Sequence, residues 1–190
     1  MPVKITPFEV RSTAIVDLYV IQMKQVHDER GVVREFYRES AFREAKLPAL
    51  GPWLQVNVTE SRHGAIRGLH GESMFKLVGI VAGEAFGAYV DARTDSPSYG
   101  AVHTQRLRPG TQVLVPKGVC NGFQSVSKRP TQYLYTFDSE WVPGMAGSAV
   151  NPFDPALGIA WPVAIDHDDP AVLSAKDAAQ PTLADSATDR

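Results

Sequence analysis

The chain has 190 residues, 44% apolar and 21% charged, which is the balance of a soluble globular protein long enough to bury one core. Its formal net charge of -2 gives no electrostatic case for nucleic acid or an anionic membrane as partner, and no window approaches the run of about 18 apolar residues that a membrane span needs. The single cysteine, Cys120, excludes an intrachain disulfide and a cysteine-based metal site; with no signal-like apolar core near the N-terminus, a reducing cytoplasmic setting is expected.

Taken in order, the chain opens with two β-branched runs, Val3–Thr6 and Ala14–Gln22, that predict strands. Asp28-Glu-Arg-Gly31 is a turn signal. Residues 35–46, with Phe36, Phe42 and Ala45 in loose helical spacing, predict a short helix or an irregular arm that Pro48, Gly51 and Pro52 terminate. Trp53–Glu60 alternates, with Leu54, Val56 and Val58 on one face and Trp53, Gln55, Asn57 and Thr59 on the other. The aliphatic face is the expected core face. The amide-bearing face reads as solvent-facing or, alternatively, as the lining of a barrel lumen.

Strand-like segments then follow at 64–71, 76–81, 85–91, 103–107, 112–116, 122–126 and 131–137, separated by Gly, Pro, Ser and Lys turns. Many short strands at this spacing predict an all-β sandwich or barrel. The Pro- and Gly-rich stretch 138–165 is expected to be strand-free and to wrap over one end, Leu173–Gln180 to form a short helix capped by Ser174, and residues 181–190 to be a loose polar tail behind a single domain over 1–180.

The chemistry centres on Arg67-Gly-Leu-His70 with Lys76 six residues later. Two cations beside an imidazole suit an anionic ligand that must also lose a proton; a hydrogen-bonded strand histidine between solvated cations is the other reading, and the residues alone leave both open. The five histidines, at 27, 63, 70, 103 and 167, include no His-x-His pair, so no metal site is expected. No glycine-rich nucleotide loop and no Gly-x-Ser-x-Gly elbow is present. His103 is expected at the surface, and Cys120 as a small buried side chain rather than a nucleophile.

Several motifs nevertheless occur in one order: Asp28-x-Arg-Gly31, Gln55-x-Asn57, Gly64-x-x-Arg-Gly-Leu-His70, Lys76-Leu-Val, Val90-Asp-x-Arg93, Val115-Pro-x-Gly118, Gly122-Phe, Leu134-Tyr135, Asp154-Pro-Ala-Leu-Gly-Ile-x-Trp-Pro162 and Leu173-Ser-x-Lys-Asp177. Over roughly residues 10–180 this set resembles the dTDP-4-dehydrorhamnose 3,5-epimerase family. The resemblance implies a cupin-type antiparallel jelly-roll barrel with short peripheral helices. It also implies a metal-free homodimer without cofactor, and a dTDP-4-keto-6-deoxyhexose substrate epimerised at C3, C5 or both. Under it, His70 is the base, Asp177 the carboxylate that orients its imidazole, Lys76 the cation facing the enolate oxygen and Tyr135 the proton donor on the opposite face. Arg67 is then the diphosphate contact, Gln55 and Asn57 are lumen amides, and Arg30 and Glu35 belong to an arm that crosses to the partner subunit near the nucleotide.

The sequence departs from the family pattern at four places. Asn121 stands where the family has histidine, Val32 or Val33 where it has an aromatic, Gly71 where an aromatic follows the base, and Glu140-Trp141 where it has a tyrosine pair. Asn121 and Trp141 remain candidate substrate contacts. These changes keep three alternatives open: a mono-epimerase acting at one carbon, a catalytically inactive sugar-nucleotide-binding cupin, and a cupin isomerase that moves the keto group between C3 and C4.

Overall fold

A computed structural model describes residues 3–48, 51–166 and 169–186. The strands are β1 (Lys4–Thr6), β2 (Glu9–Ser12), β3 (Tyr19–Gln22), β4 (Gln25–Asp28), β5 (Gly31–Arg34), β6 (Gln55–Ser61), β7 (Ile66–Glu72), β8 (Lys76–Ala82), β9 (Ala85–Asp91), β10 (Val102–Leu107), β11 (Thr111–Val115), β12 (Val119–Ser125), β13 (Thr131–Phe137) and β14 (Gly147–Ala149). The helices are short: α1 (Glu39–Glu44), α2 (Ala175–Ala178) and α3 (Leu183–Ser186). Strands of six, in the order β2-β3-β11-β8-β13-β6, face strands of five, in the order β10-β9-β12-β7-β14, and every pairing is antiparallel. This is the expected jelly roll. A small sheet, β1-β4-β5, stands apart as the arm.

Alternation along each strand divides the apolar residues among three clusters. Val78, Ile80, Val113, Val115, Phe123 and Tyr133 meet between the two large sheets. Leu77 and Leu114, pointing the other way from the same strands, pack with Ile21 under Phe42 of α1. Leu69, Val90 and Cys120 lie behind the five-stranded sheet beneath Val150 and Leu157 of the C-terminal wrap. The wrap is not strand-free: it carries β14, which pairs with β7, and a single 3-10 turn, Pro155–Leu157, capped by Asp154.

Five further expectations need correction. The aliphatic face of β6 is not the core face: Leu54, Val56 and Val58 are 55%, 58% and 58% exposed, while Gln55, Asn57 and Thr59 are half-buried toward the interior. The reason is the strand's place at the sheet edge, where α1 does not cover the outer face and the register aligns Asn57 and Thr59 with the inward Tyr135 and Tyr133. The run 14–22 is a strand only from Tyr19, because a turn with Asp17 at φ 64 folds it back on β2. The segment 35–46 narrows to α1, and Gly31–Arg34 before it is strand β5. The expected tail contains α3, whose Leu183 packs on the wrap while its N–H donates to Asp154 (2.8 Å); the last four residues lie outside those described. His103 is half-buried beside Tyr89 rather than exposed at the surface.

The loop after β9 is fastened by Asp91. Its fully buried carboxylate accepts from Arg93 Nε and Nη2 (both 2.8 Å) and from Ser96 and Ser98 Oγ (both 2.6 Å). Arg93 also donates to the Val16 carbonyl at 2.9 Å, which ties this loop to the β2–β3 turn. Burial pushes the Asp91 carboxyl up, but the Arg93 and serine hydrogen bonds outweigh it and hold the group at about 2. A carboxylate depressed in the folded state stabilises fully above its ordinary range near pH 4 and loses that contribution as pH falls toward 2. Asp91→Ala is therefore expected to cost about 3–5 kcal/mol in urea unfolding at neutral pH, with the difference from wild type shrinking below pH 4. A neutral-pH loss under about 1 kcal/mol would contradict this account.

Candidate active site

A cavity of about 360 Å³ opens between the two large sheets. That volume lies in the range of small-molecule sites. It brings together Arg67, His70, Lys76, Asn121, Tyr135 and Asp177 from both sheets and the C-terminal segment.

The β7–β12 pairing decides how Arg67 and His70 come to share this cavity. Asn121 pairs with His70 and Phe123 with Arg67, so three steps on β7 oppose two on β12. This bulge re-phases the alternation, and side chains three apart both line the cavity. It also needs two glycines in near contact. A Cβ on Gly68 (φ 113) would lie 2.6 Å from the Gly122 Cα, and one on Gly122 would lie 2.5 Å from the Arg67 carbonyl oxygen.

His70 Nε2 is 2.7 Å from Asp177 Oδ1. Asp177 belongs to α2, and its own N–H donates to the Ser174 hydroxyl at 3.1 Å, the expected cap. Burial raises the Asp177 carboxyl, yet the hydrogen bond and charge of His70, with Ser174 and the Gly68 backbone, bring it below the ordinary carboxylate range. A carboxylate only accepts, so Nε2 donates and Nδ1 is left as the basic nitrogen of the neutral ring.

Lys76 is buried, its side chain 5% exposed; its amine donates to the His70 carbonyl oxygen at 3.0 Å and pairs with the Glu72 carboxylate. Tyr135 stands on β13, across from β7, and its hydroxyl shares a 2.9 Å hydrogen bond with Thr59 Oγ1. Arg67 Nε donates to Ser61 Oγ at 2.9 Å. Asn121 lies directly opposite His70 in the ladder.

The remaining candidates sit elsewhere on the single chain. Arg30 is on the β4–β5 turn, its side chain 90% exposed and paired with Asp28. Glu35 pairs with Arg38 and Lys24. Gln55 receives a hydrogen bond from the Trp141 N–H (2.7 Å) and donates to Asn57 (3.3 Å). Trp141 lines a second, more open groove of about 640 Å³ that shares His70 and Glu72 with the first. His167 lies outside the described residues. Among the described residues no group of three or more His, Cys, Asp or Glu side chains could hold a metal ion.

Sequence reasoning missed Glu72 and Ser61, and it placed Thr59 on the polar face of its strand without a role. The signal was present: Glu72 is two residues beyond His70 on one strand, and Thr59 and Ser61 continue the Gln55–Asn57 face.

Comparison with known proteins gives one answer. A model of the family described as dTDP-4-dehydrorhamnose 3,5-epimerase matches residues 12–185. The dTDP-4-dehydrorhamnose 3,5-epimerase of Salmonella typhimurium is 34% identical over 177 residues, covering 90% of this chain and 93% of that one. A dTDP-4-dehydro-6-deoxyglucose 3-epimerase of Streptomyces bikiniensis is 35% identical over 165 residues, covering 83% and 80%. Among solved structures, NovW, a 4-keto-6-deoxy sugar epimerase from the novobiocin gene cluster of Streptomyces spheroides, superposes with a TM-score of 0.88 at 28% identity, covering 97% of this chain and 92% of that one.

The His70–Asp177 geometry makes a prediction that needs no substrate. Nitrogen-15 NMR near pH 8 should find His70 as the Nε2–H tautomer, and Asp177→Asn should mix the two tautomers. A wild-type ring protonated at Nδ1 alone would overturn the assignment.

Proposed function

The chain belongs to the dTDP-4-dehydrorhamnose 3,5-epimerase family, and on that premise we propose that it epimerises a dTDP-4-keto-6-deoxyhexose at C3, C5 or both. The observation that carries this reading is the placement of His70–Asp177 on one wall and Tyr135 on the other, with the Lys76 amine between strand and cavity. Protons on C3 and C5 are acidic because the carbanion delocalises into the C4 carbonyl. Nδ1 of His70 takes the proton from one face, leaving a planar enolate. Lys76 opposes the charge that grows on the enolate oxygen, and the Tyr135 phenol returns a proton from the other face, which inverts the carbon. A placed base contributes about 10²–10⁴-fold, and a placed donor to the oxyanion about 10²–10³-fold. Arg67 presents a guanidinium fork suited to the diphosphate.

The same reading makes the protein a cytoplasmic homodimer. Leu54, Val56 and Val58 form an exposed aliphatic stripe on an edge strand, and Val3, Ile5 and Val33 expose another on the arm. A second copy would cover these stripes and bring Arg30 and Glu35 toward its partner's nucleotide. Among the described residues no helix is long and apolar enough to cross a membrane.

Proton NMR with dTDP-4-keto-6-deoxyglucose in deuterated water tests the chemistry. Wild type should exchange the C3 proton, the C5 proton or both, and His70→Ala should lower exchange at least about 100-fold. Tyr135→Phe should keep exchange while losing inverted product. Exchange that survives in His70→Ala would sink the assignment. For the assembly, Val56→Glu with Val58→Glu should turn a dimer into a monomer by light scattering; a wild-type monomer would refute the dimer.

A further inference from the structure

Glu72 is the charged group in the cavity to which neither the motifs nor the steps above give a role. It ends β7 two residues past His70, so the two side chains share a face, and both line the cavity and the neighbouring groove. A carboxylate beside a forming enolate is unfavourable by itself, since like charges repel in a partly buried site. Its placement makes sense only through Lys76. The Lys76 ammonium has three N–H donors. One points to the Glu72 carboxylate and one to the His70 main-chain oxygen at 3.0 Å, and both acceptors belong to β7. The third is left for the cavity that Lys76 lines.

We propose that Glu72 is a positioning residue: it clamps the Lys76 ammonium against β7 so that the remaining N–H is held where the enolate oxygen forms. The role rests on the epimerase reading above. Lysine is a flexible four-carbon stem ending in a compact charge, and buried charge keeps one geometry only when its partners fix it. Glu72 supplies the second fixed point, and the His70 carbonyl supplies the first. The amine is thereby tied to the residue that also carries the base, so base and oxyanion donor keep a constant separation. Glu72 is not itself a competing base. Burial raises its carboxyl, but the charge and hydrogen bond of Lys76 hold it below the ordinary carboxylate range.

The hairpin that carries the pair does not depend on the Glu72 side chain. Met74 at its tip is fully buried, Phe75 N–H donates to Asp138 Oδ1 (2.8 Å), and the Glu72 carbonyl oxygen accepts from Gly118 N–H (3.1 Å). Variants at the side chain should therefore fold.

Single-turnover and steady-state epimerisation of dTDP-4-keto-6-deoxyglucose by wild type, Glu72→Ala and Glu72→Gln tests the proposal. Glu72→Ala should lower kcat about 100-fold with KM within about threefold, the pattern of a displaced group that acts on the transition state. Glu72→Gln, whose amide oxygen accepts from the ammonium in the same place, should recover at least about tenfold of that loss. An unchanged kcat in Glu72→Ala, a loss confined to KM, or Glu72→Gln as poor as Glu72→Ala would overturn it. A crystal structure of Glu72→Ala gives a second readout that holds even if wild type leaves this sugar untouched, an outcome that would count against the epimerase reading alone. Lys76 Nζ moved out of hydrogen-bonding distance of the His70 carbonyl supports the clamp, and Nζ unmoved refutes it.

Discussion

The site depends on one carboxylate brought from far along the chain. His70 and Asp177 are 107 residues apart, and their 2.7 Å contact joins the barrel to the C-terminal segment. A short helix does the joining. Ser174 caps α2, which fixes the direction of Asp177, and the Gly68 backbone contributes to holding the carboxylate ionised. The wrap before it rests on the back of the five-stranded sheet through Val150 and Leu157. Through α2 the C-terminal segment thus holds the His70 ring by one hydrogen bond, which fixes the tautomer and ring orientation that the proposed base needs.

The proposed chemistry sets a second constraint, that proton removal and return occur on opposite faces of a planar intermediate. Two packed sheets meet it without special geometry: His70 is on one and Tyr135 on the other, and the cavity lies between. The bulge in β7 refines the arrangement by turning Arg67 into the same cavity as His70, at the cost of two glycines that no side chain can replace without moving backbone. Lys76, first residue of β8, reaches back over the β7–β8 turn to β7, so the cation is held by the strand that carries the His70 ring. His70 and Tyr135 keep their positions with their strands, Asp177 with the capped helix α2, and the Lys76 amine through its contacts to β7.

The outer face of the six-stranded sheet follows a different logic. Helix α1 covers the middle strands and leaves β6 bare, so apolar side chains there face outward while amides and hydroxyls face the lumen. The inversion gives the cavity polar groups for the proposed ligand and leaves an apolar outer stripe that the proposed second copy would cover.

Much of this was legible in the residues. Strand content followed from β-branched runs between turn residues, Ser174 was a readable cap, and the ordered motifs named the family and pointed to His70, Lys76, Tyr135 and Asp177, which the fold gathers around one cavity. Periodicity alone misassigned β6, because alternation separates two faces but does not say which one the protein buries. It could not place Glu72 against Lys76 either, since a pair across a hairpin depends on where the turn falls. What the sequence determined by itself was local: which segments extend, where they turn and which chemical groups are present. The tertiary structure alone decided which face of an edge strand turns inward, which side chains three apart share a cavity, and which carboxylate meets which cation. Those outcomes depend on register, bulges and sheet order, which are set by contacts between segments far apart in the chain.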